Sequence, residues 1–403
     1  MADNIIFHID VNSAFLSFEA ARRLHEDPNA LDLRTVPAVV GGDKESRHGI
    51  VLAKSIPTKP YKITTGEPIV SALKKCPSLL IVKPDYRLYV EYSTKLMEYL
   101  KSYAPVVEQF SIDEAFLDMT GTRSLYGDPV EFAHKLKDEI KERFGFTVNI
   151  GVSENHLLAK MASDFEKPDR VHTLFKDEIK TKMWPLPIED LFFVGRSQST
   201  AFRSLGINTI GDLANADPAL LNAHFKKNGM SAYRHANGED INLDFDHDAD
   251  NKSYSNSTTL SSDVTSPDIA KQVLLSLTET VAARLRHDNM KISVVSVLIR
   301  DTDFNDRSKQ TSLYSATNVT DEIYRTICLL FDNLWDHSPI RLLGVAVSKA
   351  VETDIYQMNL FDDGRHEKLS RLDSALDKVR EKYGDDSVKR AVFLKPRSDK
   401  DKS

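Results

Sequence analysis

The chain has 403 residues, of which 41% are hydrophobic and 28% charged, and its formal net charge is −7. This length suits about two to four domains that each bury a core, and the composition is that of an ordinary globular protein. The negative net charge excludes a global basic field, so a polyanionic partner has to be bound by local patches or through metal ions. Two cysteines without metal-ligand spacing, no signal peptide and no apolar run of about 20 residues predict a cytoplasmic protein.

The first half of the sequence predicts alternating strands and helices. Strands are predicted over residues 4–11, 36–42, 49–53 and 147–152, with a hairpin over 106–119. Helices are predicted to begin at residues 12–14 and to run over 86–103 and 129–143. This order is typical of an α+β layer with a mixed or antiparallel sheet, into which residues 34–80 are inserted.

The second half predicts a helical region and then another α+β domain. From about residue 186 the pattern is helical, and the acidic segment 239–250 is typical of a linker. The later domain is predicted to contain strands 257–262, 291–300, 310–316 and 341–349 and helices 267–287 and 320–335. The tail after residue 352 is polar, and its Lys/Asp-rich end from Lys395 is predicted to be disordered.

Acidic residues interrupt two apolar, strand-like stretches. Asp10 follows the run IIFHI, while Asp113 and Glu114 lie in the segment VVEQFSIDEAFL. Two like charges about 4 Å apart repel by roughly 4 kcal/mol at an effective dielectric near 20, so three converging carboxylates need compensating cations. Two divalent metals about 4 Å apart would supply them and would suit phosphoryl transfer. On residue types alone an alternative stays open, in which Asp10 caps a turn or helix and the other two acids lie in water on a hairpin.

Three ordered motifs resemble those of the Y-family DNA polymerases. They are residues 9–15 (IDVNSAF), 111–118 (SIDEAFLD) and 155–164 (NHLLAKMASD), the last followed by Lys167-Pro168. The resemblance runs from about residue 5 to 390, and the chain is most similar to the bacterial polymerase IV and V type. It implies a multi-domain right-hand fold with these parts: palm 1–33 and 81–168, fingers 34–80, helical thumb 169–240, linker 241–250, α+β little finger 251–351 and C-terminal tail 352–403.

The resemblance implies low-fidelity, template-directed DNA synthesis across lesions, by attack of a primer 3′-hydroxyl on the α-phosphate of a dNTP. It makes Asp10, Asp113 and Glu114 the catalytic residues. With the Val11 carbonyl they are the implied ligands of two Mg²⁺ ions, for which Mn²⁺ is a substitute. One ion would lower the pKa of the hydroxyl and the other would neutralise the pyrophosphate. Two rivals remain: another palm-type nucleotidyl transferase, such as a nucleotide cyclase, and a non-catalytic DNA- or clamp-binding factor of the same fold.

The resemblance also implies which residues bind the nucleotide: Asn12, Ser13, Ala14, Phe15, Lys59 and Lys167. Phe15 would be a steric gate against a 2′-hydroxyl, although its pattern alone fits a core position on an amphipathic helix. Lys167 would contact the triphosphate, although a solvated lysine at a helix end fits too. The family usually has a Tyr and an Arg where this chain has Ile56 and Lys59, which lack a hydrogen-bond donor and bidentate geometry respectively.

The implied DNA contacts are Gly195, Arg196, Lys252, Ser253, Ser255, Ser257 and Arg341. The first two belong to a segment that resembles a helix-hairpin-helix, with Phe193 in place of the usual first glycine; turns that serve packing alone explain it almost as well. The little-finger residues at 252–257 precede a predicted strand, and Arg341 begins a predicted edge strand.

A short motif in the tail, QMNLF, is similar to those that bind the bacterial sliding clamp. Its Gln357, Leu360 and Phe361 stand in otherwise polar sequence, and an exposed Leu-Phe pair favours a pocket on a partner. We therefore expect a monomer that binds primer–template DNA, dNTPs and the clamp β subunit, and no membrane.

Overall fold

The computed structural model describes residues 4–42, 49–240, 251–352 and 365–393. These residues form two compact units, one made of 4–42 and 49–240 and the other of 251–352 and 365–393. The predicted linker, the clamp motif at 357–361 and the end from Lys395 lie outside the described residues. Each helix within the described ranges lacks the combination of length and apolar character that a bilayer crossing requires.

The first unit contains eight described strands and nine described α-helices. Its strands are β1 (Ile6–Val11), β2 (Ala38–Gly41), β3 (Val51–Lys54), β4 (Leu80–Val82), β5 (Val106–Gln109), β6 (Glu114–Asp118), β7 (Val148–Ser153) and β8 (Val171–Thr173). Its helices are α1 (Ala14–Glu26), α2 (Ile69–Lys75), α3 (Tyr86–Leu100), α4 (Arg123–Tyr126), α5 (Pro129–Phe144), α6 (His156–Ser163), α7 (Arg196–Ser204), α8 (Ile210–Ala214) and α9 (Pro218–Ala236).

A five-stranded mixed sheet, in the order β5-β6-β1-β7-β8, is the base of the first unit. All neighbours are antiparallel except β7 and β8, so the prediction of a mixed or antiparallel sheet is confirmed. β1 is central and wholly buried, because its run of apolar residues packs against helices such as α1, α3 and α5. β8 lies on the thumb side of the boundary predicted at residue 168; three residues are too few to give a strand signal.

Two smaller clusters complete the first unit. A three-stranded sheet, in the order β3-β2-β4, encloses its own apolar cluster with α2, within and just after the inserted segment 34–80. The helices α7 to α9 pack with α6 in a separate cluster. α9 is kinked at Lys226, where the backbone leaves the helical conformation. The sequence pattern predicted a helical region from about residue 186, but it gave neither the bounds of α7 to α9 nor the kink.

The second unit is a four-stranded antiparallel sheet with helices. It contains β9 (Ser253–Val264), β10 (Lys291–Asp301), β11 (Asp306–Thr317), β12 (Ile340–Val351), α10 (Pro267–His287), α11 (Thr320–Leu334) and α12 (Arg365–Tyr383). The order β11-β10-β12-β9 places β12 between two neighbours. The prediction that Arg341 begins an edge strand is therefore wrong. The buried Leu343, Val345 and Val347 explain the central place of this strand.

The polar tail contains a helix that the sequence analysis did not predict. Asp373 on α12 is buried and accepts a hydrogen bond of 2.8 Å from the main-chain N–H of Thr320. Arg286 on α10 forms ion pairs with Asp373 and Asp377. Leu369, Leu372, Leu376 and Val379 recur at helical spacing. The helix was missed because the polar composition of the tail outweighed this pattern, and Leu372 and Val379 are exposed in the structure.

Candidate active site

The ends of β1 and β6 bring the three predicted catalytic acids together. Asp10 is paired directly with Glu114 in the antiparallel ladder, so both side chains point to the same face about 5 Å apart at Cβ. The N–H of Val11 donates a 3.0 Å hydrogen bond to the carbonyl of Asp113, which precedes Glu114 in the turn. The acids therefore occupy one end of the sheet, and the alternative in which Asp10 and the 113–114 turn are unrelated is excluded.

Two lysines lie among these acids. The Nζ of Lys160 is 2.7 Å from Glu114 Oε1 and 3.5 Å from Asp10 Oδ2. The Nζ of Lys167 is 2.8 Å from Asp10 Oδ2 and 2.8 Å from Asp164 Oδ1. The expectation that divalent metals alone would compensate the carboxylates is therefore incomplete, because two ammonium groups already do so in part.

The protonation of the acids reflects a crowded, buried site. The pKa of Asp113 is raised, mainly by burial and also by the nearby charge of Asp10. The hydroxyl of Ser111, 2.7 Å from the Asp113 carboxylate, opposes this shift. Burial and a hydrogen bond with Asp10 raise the pKa of Glu114 to about 7, despite the opposing charge of Lys160. Burial lowers the pKa of Lys160, but Asp164, Asp10 and Glu114 outweigh it and raise that pKa. The site therefore still favours added positive charge.

The acids fit a divalent cation chemically, although they are not arranged as a finished metal site. Among the described residues, no three His, Cys, Asp or Glu side chains form a group poised to hold a metal ion. The side chains of Asp10 and Glu114 are instead turned to lysines. Carboxylate oxygens are hard ligands suited to Mg²⁺ and Mn²⁺, and the raised pKa values of Asp113 and Glu114 indicate that a cation would stabilise their ionised forms.

A pocket of about 190 Å³ adjoins the acids. It is lined by Asp10, Asn12, Ser13, Leu16, Ser17, Arg34, Ser55, Ile56, Lys59, Thr147, Lys167 and Pro168. Asn12 is buried, and its side-chain oxygen accepts hydrogen bonds from Thr147 and from the main chain of Asp169. Its amide donates to Asn149. The Asn12 side chain thus joins β1 to β7, and its oxygen and its amide both have partners within the protein.

Phe15, the predicted steric gate, is half-buried on an aromatic stack. Its ring lies 4.4 Å from that of Tyr89 and nearly parallel to it, with Tyr86 edge-on at 6.2 Å. The Tyr89 hydroxyl donates to the buried Glu19. Ala14, the residue before Phe15, is buried at the start of α1. These contacts fix the plane of the Phe15 ring, and they agree with both the gate and the packing interpretation.

Sequence reasoning missed two cationic residues near the acids. Lys160 had a detectable signal, since it is the one charged residue in the buried stretch from Leu157 to Ser163. Arg34 had none: it reaches the pocket lining from a loop, where it pairs with Asp32 and donates to the carbonyl of Gly145. In the inserted segment 34–80, Lys59 lines the same pocket, and among the described residues no contact joins it to the acids.

The predicted DNA-contact residues lie on the surface. Gly195 and Arg196 are exposed at the start of α7. Phe193 has a φ of 69° and is 59% exposed, so it adopts the left-handed conformation that a glycine would take there. The turn is therefore formed with Phe193 in it, at a cost in backbone strain.

The remaining predicted DNA contacts are in the second unit. Ser253, Ser255 and Ser257 lie within β9 rather than before a strand, because serine-rich, alternating sequence suits an exposed edge strand. Because these serines are two residues apart, their side chains lie on the same face of the strand. All three are exposed, and so is Lys252, which precedes them. Arg341 is half-buried, with its guanidinium 4.6 Å from the ring centroid of Phe304.

Comparison with known proteins settles the family. Family descriptions match three parts of the chain: the impB/mucB/samB family at residues 9–164, its helix-hairpin-helix motif at 176–207 and its C-terminal domain at 251–360. A DNA polymerase IV from Clostridium acetobutylicum is 45% identical over 97% of this chain and 98% of its own length. The chain belongs to the impB/mucB/samB family. A DNA polymerase IV from Acetivibrio thermocellus is 36% identical over 98% of both chains.

A solved structure shows the same fold. A Y-family DNA polymerase chimera superposes with a TM-score of 0.72 and 21% identity, covering 87% of this chain and all of the chimera. The predicted multi-domain α+β fold and the predicted resemblance to Y-family polymerases are therefore confirmed for this impB/mucB/samB member.

Proposed function

We infer that this protein is a DNA-directed DNA polymerase that carries out translesion synthesis. Its substrates are a DNA primer–template and dNTPs, and it depends on divalent metal ions. Relatives named DNA polymerase IV match it over nearly their whole length. The observation that carries the assignment at the level of chemistry is the pairing of Asp10 with Glu114, with Asp113 adjacent, at the end of the central sheet.

We propose that Asp10, Asp113, Glu114 and the Val11 carbonyl hold two Mg²⁺ ions, which Mn²⁺ can replace. When bound, these ions lower the pKa of the primer hydroxyl and neutralise charge on the pyrophosphate. The fold supports this role because Asp10 is buried on β1 and Glu114 is half-buried at the start of β6, so the sheet holds both carboxylates at the same end. Lys167 supports this role too, because it contacts Asp10 and also lines the pocket. A triphosphate that enters the pocket could therefore replace Asp10 as the partner of the Lys167 ammonium.

The pocket beside the acids is the proposed dNTP site. The main chain of residues 12–14 follows β1 directly, and Ser13 has the left-handed φ of 50°, which turns the chain sharply into α1. Phe15 on that helix would meet the sugar and exclude a 2′-hydroxyl. Lys59 in the fingers would offer the phosphates a single ammonium charge rather than a bidentate contact. Ile56 would contribute only an apolar contact to the nucleotide.

We propose that both units contact the DNA backbone without reading sequence. In the thumb, Gly195 and Arg196 at the exposed start of α7 would offer N–H groups and a guanidinium to phosphates. In the little finger, Lys252 and the serines of β9 would do so. Arg341 would add a separate contact further along β12, three residues before Gly344, the partner of Ser257. Affinity carried by such contacts falls with salt. The palm, fingers, thumb and little-finger boundaries predicted above remain part of this proposal.

The clamp contact, a monomeric state and a cytoplasmic location are proposed from the sequence. Removing Leu360 and Phe361 should abolish stimulation of primer extension by a bacterial sliding clamp and leave extension without the clamp unchanged. Equal loss in both reactions would argue that the motif is structural.

Primer extension with Mg²⁺ tests the proposed function. The wild type should extend a primer opposite a template lesion, and the double variant Asp113→Ala/Glu114→Ala should not. Glu139→Gln on α5 is the matched control, since Glu139 pairs with tyrosines elsewhere on the sheet's helical layer and should leave extension intact. Template-independent cyclisation of a nucleotide would favour the cyclase rival. No extension by folded wild type would favour the non-catalytic factor.

A further inference from the structure

We propose that Lys160 is a built-in counter-ion of the carboxylate site: it holds the acids together when no metal is bound and competes with the metal for them. This inference rests on the proposed metal site. It assigns Lys160 a positioning role, because its ammonium contacts the acids rather than a reacting atom.

The ammonium of Lys160 lies among three carboxylates from different parts of the chain. Its Nζ is 2.7 Å from Glu114, 3.2 Å from Asp164 and 3.5 Å from Asp10. Its side chain is only 7% exposed. A buried ammonium is costly unless it is paired, and here the pairing reaches both strands that carry the predicted metal ligands.

The fold gives Lys160 no alternative position in solvent. The stretch of α6 from Leu157 to Ser163 is buried, and this helix packs on β7 where Gly151 leaves room for its backbone. Lys167 differs, because its side chain is 35% exposed and it contacts Asp10 and Asp164 but not Glu114. Lys167 can therefore turn outward to a ligand, whereas Lys160 stays inside the site.

Two effects of opposite sign follow. Without the Lys160 ammonium, the ionised carboxylates of Asp10 and Glu114 would lose a shared buried partner, so the metal-free protein should unfold at a lower temperature. A positive charge paired with the same carboxylates also repels a divalent ion, so removing it should tighten metal binding by about tenfold or more. A lysine with a purely structural role would show the first effect without the second.

The test is Mn²⁺ titration followed by electron paramagnetic resonance, with thermal unfolding in EDTA and in Mg²⁺. Lys160→Met should unfold earlier in EDTA and bind Mn²⁺ about tenfold tighter or better, whereas Lys160→Arg should stay within about threefold of the wild type because the charge is kept. The matched control is Lys137→Met on α5. Lys137 is similarly buried and pairs with Asp138 and Asp169, so its loss should lower stability and leave Mn²⁺ affinity unchanged.

Unchanged or weaker Mn²⁺ binding by folded Lys160→Met would overturn the proposal. Should that variant not fold, the ammonium signals in ¹⁵N NMR of the wild type give the answer: Mg²⁺ should shift the Lys160 signal and not that of Lys137, and an unshifted Lys160 signal would overturn it. The variant Asp113→Ala/Glu114→Ala tests the metal site separately, because Mn²⁺ binding that survives there would refute the proposed function and not the position of Lys160.

Discussion

The substitution Gly151→Ala should disable the site indirectly, by displacing the helix α6 that carries Lys160. Gly151 lies on β7, opposite His8 on β1 and beneath α6. A Cβ at this position would overlap the carbonyl oxygen of Ala159 and lie 2.6 Å from the main-chain nitrogen of Ser163. Its backbone does not have the positive φ that would disfavour alanine, so the effect is steric alone. Lys160 lies between the two points of collision, and α6 must move to relieve them.

The expected cost is large because both colliding atoms belong to the backbone. Overpacking a core typically costs about 1–3 kcal/mol, and a rigid helix backbone places this site at the upper end, about 3 kcal/mol. Moving α6 by about 1 Å also displaces the Lys160 ammonium from Glu114, and misplacements of that size lower rates by about 10²-fold. We therefore expect a lower free energy of unfolding and much slower primer extension even where the variant is folded.

Urea unfolding and single-nucleotide extension measure the two effects. The matched control for urea unfolding is Gly195→Ala, where a Cβ meets nothing within 4 Å and φ is −82°. Its cost should not exceed about 1 kcal/mol, the preference of a helix N-cap for glycine over alanine. A Gly151→Ala variant as stable and as active as the wild type would refute the close packing of α6 on β7.

Three further substitutions give measurable outcomes. Phe15→Ala should admit ribonucleotides in single-nucleotide incorporation while dNTP use persists; unchanged sugar selection would leave Phe15 as a packing residue. Phe193→Gly should raise the free energy of unfolding by up to about 1 kcal/mol, since left-handed strain of about 1–2 kcal/mol outweighs the added chain entropy; a clear loss in urea unfolding would contradict this. Burial lowers the pKa of His156, but the carboxylates of Asp240 and Glu108 have a larger opposite effect, so the pKa of His156 is raised. Stability from this pairing is therefore complete below the unfolded pKa of about 6.5 and is lost as pH rises through the folded-state value. In His156→Gln, the free energy of unfolding measured in urea should no longer fall with pH above about pH 6.5. An unaltered pH profile would reject the pairing.

Local sequence patterns predicted much of the fold because they report burial directly. The apolar run before Asp10 predicted a buried strand, and the structure makes it the centre of the main sheet. Apolar periodicity likewise located α3 and α10 to within a few residues. Two features were not predicted. α12 was missed because the polar composition of the tail obscured its apolar residues at helical spacing. Arg341 was wrongly assigned to an edge strand because strand order depends on contacts between distant segments.

The sequence predicted the acidic residues of the candidate site but not the cationic residues beside them. Asp10, Asp113 and Glu114 stood out because charges are rare in strand-like sequence. Lys160 was visible as a lone charge on an apolar helix, but only the packing of α6 shows that its ammonium reaches Glu114. Arg34 comes from a loop with no pattern at all, so its place beside the pocket could be found only in three dimensions.

The most direct test of the account is a crystal structure with primer–template DNA, a non-hydrolysable dNTP analogue and Mg²⁺. We expect two ions between the triphosphate and the carboxylates of Asp10, Asp113 and Glu114, with Lys167 on the phosphates. Nucleotide and metal bound elsewhere, with the acids still paired only to lysines, would contradict this expectation.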